Sequence, residues 1–424
     1  MSRGESPQRS RSSQRSRRSR RSQSPSTSRR VLVLNQSALP RSQGGGTRHV
    51  ELFGRLSRWS HRIVAGNRNY TTRERFSSRS PAFVTVPVPN YESNGPGRVL
   101  NWLTYAVGAT VAGLRSGRYD VVYASSPPLL TPLAGWLLAR LRRVPLVVEI
   151  RDLWPRSMVE LGYLADGSRT HRMLVALERF VYRSADAIVA VADGWQDHFA
   201  AFGVRPERVV LISNGADPVD FVATVSRDKA RAELGADGFV AVYAGAHGPA
   251  NGLDLILDAA GELPGCTFVL VGDGLDKARL VTRAGEEAIG NVRFLPAVPK
   301  EQLANVFVAA DVGLHTLAQA ELFKEALSPN KLYDYLAAGL PVVTNVGGEL
   351  ERRLVEAGCA VRGSAEPGEP SLPSLVAALR DLGDRGADER ARMGARGREY
   401  VERHVSRSIM ATRLEALLDD VSSR

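Results

Sequence analysis

The segment Ser328–Val343, SPNKLYDYLAAGLPVV, puts phosphate-binding and hydroxyl-binding chemistry on one short helix. Ser328 can cap that helix, Pro329 suits its first turn, and Gly339 with Pro341 ends it before the apolar pair Val342–Val343. Ser328, Asn330 and Lys331 then lie at a helix N-terminus, where free backbone N–H groups and the helix dipole favour an anion such as phosphate. Asp334 follows about one turn later on the same helix. A carboxylate there can accept hydrogen bonds from sugar hydroxyls. Phosphate at one end and sugar at the other describe a nucleotide-sugar site. An ordinary capped helix of an α/β domain carries the same punctuation, so the rest of the chain has to decide.

Two other groups of residues bear on that decision. Gly245 and Gly248 flank Ala246 and His247 on a turn after the apolar run Val240–Tyr243, and glycines there leave backbone space for a diphosphate. His247 is the histidine placed to touch such a ligand. Arg151 and Asp152 follow the apolar run Leu146–Ile150 and so emerge at a strand's carboxyl end. Asp152 can orient an acceptor hydroxyl or take its proton, and Arg151 can steady a departing phosphate; a structural Arg–Asp pair closing the strand is the alternative. Other phosphate and acyl chemistries find no support. The chain has no G-x-x-x-x-G-K-[ST], Gly44–Gly46 fails G-x-G-x-x-G at His49, and no G-x-S-x-G occurs.

The elements that must carry these residues alternate between strand and helix. Strand-like runs are Val31–Leu34, Phe83–Val88, Val121–Ala124, Leu146–Ile150, Ala187–Val191 and Val209–Ile212, with helical patterns between most of them. A helix is expected to begin near Thr47. The turn cluster Asn214–Pro218 reads as a hinge, after which the pattern restarts at Val240–Tyr243, Phe268–Val271, Val292–Phe294, Val312–His315 and Val342–Thr344. The fold class is therefore α/β, with two doubly wound parallel sheets facing a cleft and ligands at the carboxyl ends of the strands. The expected divisions are a tail over 1–30, a first domain over 31–213, a second over 222–402, and a C-terminal helix over 403–424 that packs back on the first domain.

In this order, several local motifs resemble glycosyltransferase family 4 and its GT-B fold of two facing Rossmann-like domains. They are the Gly44–Gly46 loop, Ser213–Asp217, Tyr243–Gly245, Val271–Gly274, Ala310–Val312 and Lys331–Ala337. Arg151–Pro155 and Ser328–Lys331 look like the branch that includes L-fucosamine transferases of surface-polysaccharide assembly. The resemblance implies a retaining transfer from a nucleoside-diphosphate sugar, here a UDP-sugar, to a saccharide or polyprenyl-linked acceptor, with no metal and no other cofactor. It assigns Gly245, His247, Gly248, Asn251, Lys324, Glu325, Ser328, Asn330, Lys331 and Asp334 to the donor, and Gly45, Gly46 and Arg48 to the acceptor side. Three departures stand out. The family's Arg and Lys beside the diphosphate are replaced by Ala246 or His247 and Asn251, leaving Lys324 or Lys331 to supply the charge. Of the family's two carboxylates eight positions apart, Asp334 keeps the second, the ribose ligand, while the first falls on Ala326 beside Glu325. The usual catalytic histidine corresponds to Arg151. A nucleotide-sugar 2-epimerase shares the architecture and is the competing enzyme.

Composition bears on partners. The 424 residues carry a net charge of +11, but residues 1–30 hold ten Arg against Glu5 alone, so the remainder is nearly neutral. With no aliphatic or aromatic residue after Met1, that tail is expected to be disordered. It lacks the apolar core of a secretory signal and the apolar face of a transit peptide. Without an aromatic platform, a dedicated nucleic-acid partner is not expected, and an RNA-binding protein is the weakest alternative. Attraction to an anionic membrane surface fits better, and the helical runs Asn101–Arg115 and Leu133–Arg143, the latter basic at its end, suit a peripheral contact. No run of eighteen apolar residues occurs, seven His show no metal-ligand spacing, and Cys266 and Cys359 read as buried thiols of a reducing compartment. The expected location is cytoplasmic, at the inner face of the membrane.

Overall fold

The computed structural model describes residues 29–43, 46–70, 72–91, 95–318, 328–366 and 369–424. Residues 1–28 of the basic tail, Gly45, Lys324 and Glu325 lie outside the described residues. The first sheet is wholly parallel, in the order β3-β2-β1-β4-β5-β6-β7. Its strands are β1 (Arg29–Leu34), β2 (Trp59–Gly66), β3 (Phe83–Val86), β4 (Val121–Ser126), β5 (Leu146–Ile150), β6 (Ala187–Ala190) and β7 (Val209–Leu211). The second sheet, also parallel, runs β10-β9-β8-β11-β12-β13. It comprises β8 (Phe239–Ala244), β9 (Cys266–Val271), β10 (Val292–Leu295), β11 (Val312–His315), β12 (Val342–Thr344) and β13 (Ala360–Arg362). Strands covered on both faces need apolar residues at every position, which is why Val31–Leu34 and Phe268–Val271 are unbroken apolar runs, buried throughout.

In each sheet the strand order reverses beside its first strand, between β1 and β4 and between β8 and β11. Such switch points open a crevice at the carboxyl ends of the strands. The helices that shape it are α1 (Arg48–Phe53), α2 (Pro96–Leu114), α3 (Leu130–Arg142), α4 (Arg169–Ser184), α5 (Lys300–Phe307), α6 (Asn330–Ala338) and α7 (Arg407–Ser423). On one face of the first sheet, Tyr105 of α2, Leu138 of α3 and Val181 of α4 pack with Leu32, Leu34 and Val122. On the other, Leu52 of α1 and Met410, Leu414 and Leu418 of α7 pack with Val31, Val33 and Tyr123. The last helix thus belongs to the core of the first domain. Cys266 and Cys359 are buried free thiols, and burial pushes them up to about 12 and about 11.

Several expectations need correction. Arg29 and Arg30 begin β1 rather than ending a tail, because Arg30 N donates to Asp120 Oδ2 and Arg29 donates to Ser422 Oγ and stacks over Trp59. The strand β2 went unread because its amino half, WSHR, is only half-buried apart from Trp59 and lacks the apolar run of its neighbours. The segment Asn214–Pro218 lies between the last strand of the first sheet and the first of the second, and it is packed rather than loose. Asn214, Ala216 and Asp217 are buried, and a Cβ on Gly215 would collide with the Val405 carbonyl where the chain returns to the first domain. The two crossings pack against each other.

Candidate donor and acceptor cleft

The carboxyl ends of the two sheets enclose a cavity of ≈ 660 Å³. Gly46, Arg48, Arg151 and Asp152 line it from the first domain, and Gly245, Asn251, Asn330, Lys331 and Asp334 line it from the second.

Lys331 lies in the first turn of α6, and its ammonium donates to Tyr243 Oη and to Asn251 Oδ1, both at 2.7 Å. The nitrogen also stands 4.3 Å from the centre of the Tyr243 ring. Both partners are neutral, and among the described residues no carboxylate lies within ion-pair distance. Burial therefore pushes the Lys331 ammonium down to about 7. Gly245 makes room for this arrangement, since a Cβ there would sit 3.1 Å from Lys331 Cε and from Tyr243 Oη. Lys331 of α6 thus places an ammonium beside the Gly245 turn, held by Asn251.

Asp334, one turn further on, faces Lys300 of α5 at 3.5 Å, with its Oδ1 outside hydrogen-bond geometry. Burial raises the Asp334 carboxyl, opposed by Lys300 and Arg407. Lys300 also stands 3.5 Å from Glu51 of α1, and Arg407 at the start of α7 stands 2.7 Å from the same carboxylate. Glu51 is held down to about 2: burial would raise it, but Arg407 and Lys300 outweigh that. This charged cluster joins both domains beneath the ribose end of the proposed site. Sequence reasoning missed Lys300 and Arg407. The available signal was position alone, because Pro299–Lys300 follows soon after the carboxyl end of β10 and Ser406–Arg407 opens a capped helix.

Other candidates fall differently. Pro329, not Ser328, occupies the N-cap of α6, and no side chain caps it. The Ser328 hydroxyl accepts instead from Asn214 N at 2.9 Å, and its carbonyl accepts from Asn214 Nδ2, tying the helix entry to the domain crossing. Gly339, in the left-handed region at φ +81°, ends the helix as the sequence indicates. Asn330 accepts from Arg407 at 3.5 Å. His247 is fully buried behind the cleft wall, both ring nitrogens lack hydrogen-bond partners, and burial followed by Lys277 pushes it down to about 4. It packs by Tyr243 and Phe294 rather than facing the cavity, and Gly248 opens the turn Pro249–Asn251.

On the first domain, Gly46 lines the cavity at φ +51°, where a Cβ would sit 2.7 Å from the Ser37 carbonyl. Arg48 also borders it, yet its guanidinium is spent internally. It donates to Glu149 Oε1 at 2.9 Å and to the Ile212 and Ser213 carbonyls at 2.6 Å each. These bonds fasten α1 to the crossing. Glu149 also meets His49 at 2.6 Å and Ser125 at 2.7 Å; burial alone would raise its carboxyl, but His49 and Arg48 hold it well below the usual range. Next to this network Arg151 reaches the cleft with its Nε free of hydrogen bonds. Asp152 accepts from Trp154 Nε1 and Ser157 Oγ, both at 3.0 Å, and burial raises its carboxyl. No group of three metal-ligating side chains gathers among the described residues.

Comparison with known proteins follows the same division. Residues 43–215 match the family described as Glycosyl transferase 4-like domain, and residues 238–381 match Glycosyl transferases group 1. WcaI of Escherichia coli (strain K12), named as a colanic acid biosynthesis glycosyl transferase, is 26% identical over 294 residues, 67% of this chain and 71% of that protein. A sucrose-phosphate synthase from Thermosynechococcus elongatus superposes at TM-score 0.72 and 15% identity, over 93% of this chain and 99% of that one. Anabaena Alr3699/HepE in complex with UDP-glucose gives 0.67 at 19%, over 92% and 99%. At those identities the structural likeness is one of fold. With both family models matched in order along two facing parallel-sheet domains, the chain belongs to glycosyltransferase family 4, an enzyme family of GT-B fold.

Proposed function

We propose that the enzyme transfers a sugar, with retention of anomeric configuration and without a metal, from a UDP-sugar to a saccharide or lipid-linked acceptor of surface-polysaccharide assembly at the cytoplasmic face of the membrane. The observation that carries this reading is the Lys331 ammonium at the N-terminus of α6, presented to the cleft by two neutral partners beside the Gly245 turn. A diphosphate seated there meets free helix-terminal amides and a cation, which stabilise negative charge as the leaving group departs. Asp334 accepts the ribose hydroxyls, with Lys300 holding its carboxylate. Arg151 and Asp152 face the acceptor across the cavity, Asp152 orienting the attacking hydroxyl. The UDP-glucose bound to Alr3699/HepE supports a uridine donor, and the name of WcaI supports a surface polysaccharide. The branch resemblance adds an amino-deoxyhexose to the sugars worth testing.

The test is release of nucleoside diphosphate from a panel of UDP-, GDP- and ADP-sugars with lipid-linked and free saccharide acceptors, in the presence of a chelator. Proton NMR of the product reads the anomeric configuration. Selective turnover of a UDP-sugar with retention supports the reading; inversion, an absolute metal requirement, or turnover of no donor overturns it. Epimerised nucleotide-sugar formed without acceptor would favour the 2-epimerase.

A further inference from the structure

We infer that the outer face of the first domain, formed by α2, α3 and α4, docks on an anionic lipid bilayer. The inference deepens the lipid-linked acceptor of the proposed function, but its evidence lies outside the cleft. Helix α2 buries Asn101, Tyr105, Ala109 and Gly113, and turns Val99, Leu100, Leu103, Val107, Val111 and Leu114 outward. Those six are 39–66% exposed, and their spacing places them on one stripe. Scattered exposed apolar residues are ordinary, whereas a continuous stripe on a helix already packed on its other face is not. Gly113 packs against Leu138, which joins α2 to α3, and Leu137 and Leu141 of α3 extend the apolar surface.

Charge identifies the occupant. Helices α2 and α3 contain no Asp or Glu. The one acid of α4, Glu178, is buried and accepts from Tyr182 and pairs with His198. Exposed around the stripe are Arg115, Arg118, Arg140, Arg142 and Arg143, gathered where α2 and α3 end; Arg142 donates to the Leu114 carbonyl at 2.6 Å, fixing that end of the stripe beside cations. A second copy of the chain would offer these arginines no carboxylate from the same three helices. Acyl chains beneath anionic headgroups satisfy both features at once.

Two connections extend the surface. At its basic end, Arg30 N donates to Asp120 Oδ2 and Asp120 N to the Arg30 carbonyl, both at 2.8 Å. Residues 1–28, with eight Arg and Glu5, therefore join the domain beside Arg118. At the other end, Trp102 of α2 packs edge-on against Trp154 at 5.3 Å, and Trp154 donates to Asp152. A bilayer on α2 would lie next to the acceptor wall of the cleft.

The test is flotation of the full chain with phosphatidylcholine vesicles, with and without roughly 30 mol % phosphatidylglycerol, at low and high salt. We expect binding that requires phosphatidylglycerol. It should fall by about tenfold in a Leu103→Glu/Val107→Glu variant and similarly in Arg140→Glu/Arg143→Glu, with circular dichroism and melting unchanged. Deleting residues 2–28 should weaken flotation without abolishing it. The inference is overturned if the wild type does not bind, if the glutamate variants float undiminished, or if deletion of the tail removes all binding. It is equally overturned if light scattering finds a dimer that Val107→Glu splits while vesicles remain unbound. Turnover of a water-soluble acceptor is read separately and should be unchanged in Leu103→Glu/Val107→Glu, so bilayer binding without any transfer would fault the proposed reaction and leave the docking face standing.

Discussion

Lys331 makes donor binding dependent on pH in a calculable way. In the free enzyme burial holds its ammonium at about 7, against an ordinary value of 10.5. A bound diphosphate favours the charged form and raises that value, so only the protonated enzyme binds tightly. Below pH 7 the lysine is largely charged and its own contribution to affinity levels off. Above it, apparent affinity falls as the competent fraction falls, by up to tenfold per pH unit. Between pH 7 and pH 9 the expected loss is about 50-fold, or about 2.3 kcal/mol, and exposure of the nitrogen to cleft water makes this an upper value. Other groups at the turn do not confuse the window. His247, at about 4, stays neutral throughout, and the β-phosphate of UDP, with a second pKa of about 6, changes its charge little above pH 7. Isothermal titration with UDP from pH 6 to pH 9, in buffers of different ionisation enthalpy, reads both affinity and proton uptake. Lys331→Met should bind UDP weakly at every pH and take up no proton. Affinity constant within about twofold from pH 7 to 9, or proton uptake surviving in Lys331→Met, would refute the reasoning.

Asp334→Asn keeps the side-chain shape but loses the charge-assisted acceptor, so the donor KM should rise about tenfold with little change in melting temperature. Arg407→Met leaves Glu51 buried with Lys300 and the Thr47 hydroxyl and should cost about 3 kcal/mol in a urea unfolding measurement. Because the folded Glu51 value, about 2, lies below the ordinary 4.5, its stabilisation is complete above about pH 4.5 and fades as pH falls toward 2; Glu51→Gln should flatten that part of the acid unfolding curve. Gly245→Ala pushes a methyl toward Lys331 Cε and Tyr243 Oη and should raise donor KM about tenfold while kcat changes less, read from steady-state kinetics. His247→Leu should leave kcat/KM within about twofold, since both ring nitrogens are buried without partners; a loss beyond tenfold would return His247 to the donor site.

The two-sheet architecture was legible because strands covered on both faces write themselves as apolar runs, and the two strands that went unread, β2 and β13, are only partly buried, β2 over its amino half and β13 after Ala360. The ends of helix α6 were legible for a similar local reason: Pro329 and Gly339 act through their own backbone preferences. Ser328 and Arg48 misled because side-chain partners are set by what the fold brings near. An unexpected donor, the Asn214 amide, claims the Ser328 hydroxyl, and three carbonyl and carboxylate oxygens more than a hundred residues away claim the Arg48 guanidinium. Lys300 and Arg407 carry no motif; each acquires a role through Glu51, which is remote in sequence from both and, for Lys300, lies in the other domain.

The departures at Ala246 and Asn251 suggested a donor site short of positive charge. In the folded enzyme the deficit is one of address. Tyr243, Asn251 and the missing Cβ of Gly245 together shape a place for one ammonium, and α6 delivers Lys331 into it. An asparagine that only accepts from a lysine does not offset its charge, so the protonated nitrogen keeps that charge for a ligand; a carboxylate in the same place would have spent it inside the protein. If the proposed role of Lys331 holds, the neutral cradle suits it to bind a diphosphate, and replacing Asn251 by Asp should lower donor affinity even though it holds the lysine more tightly.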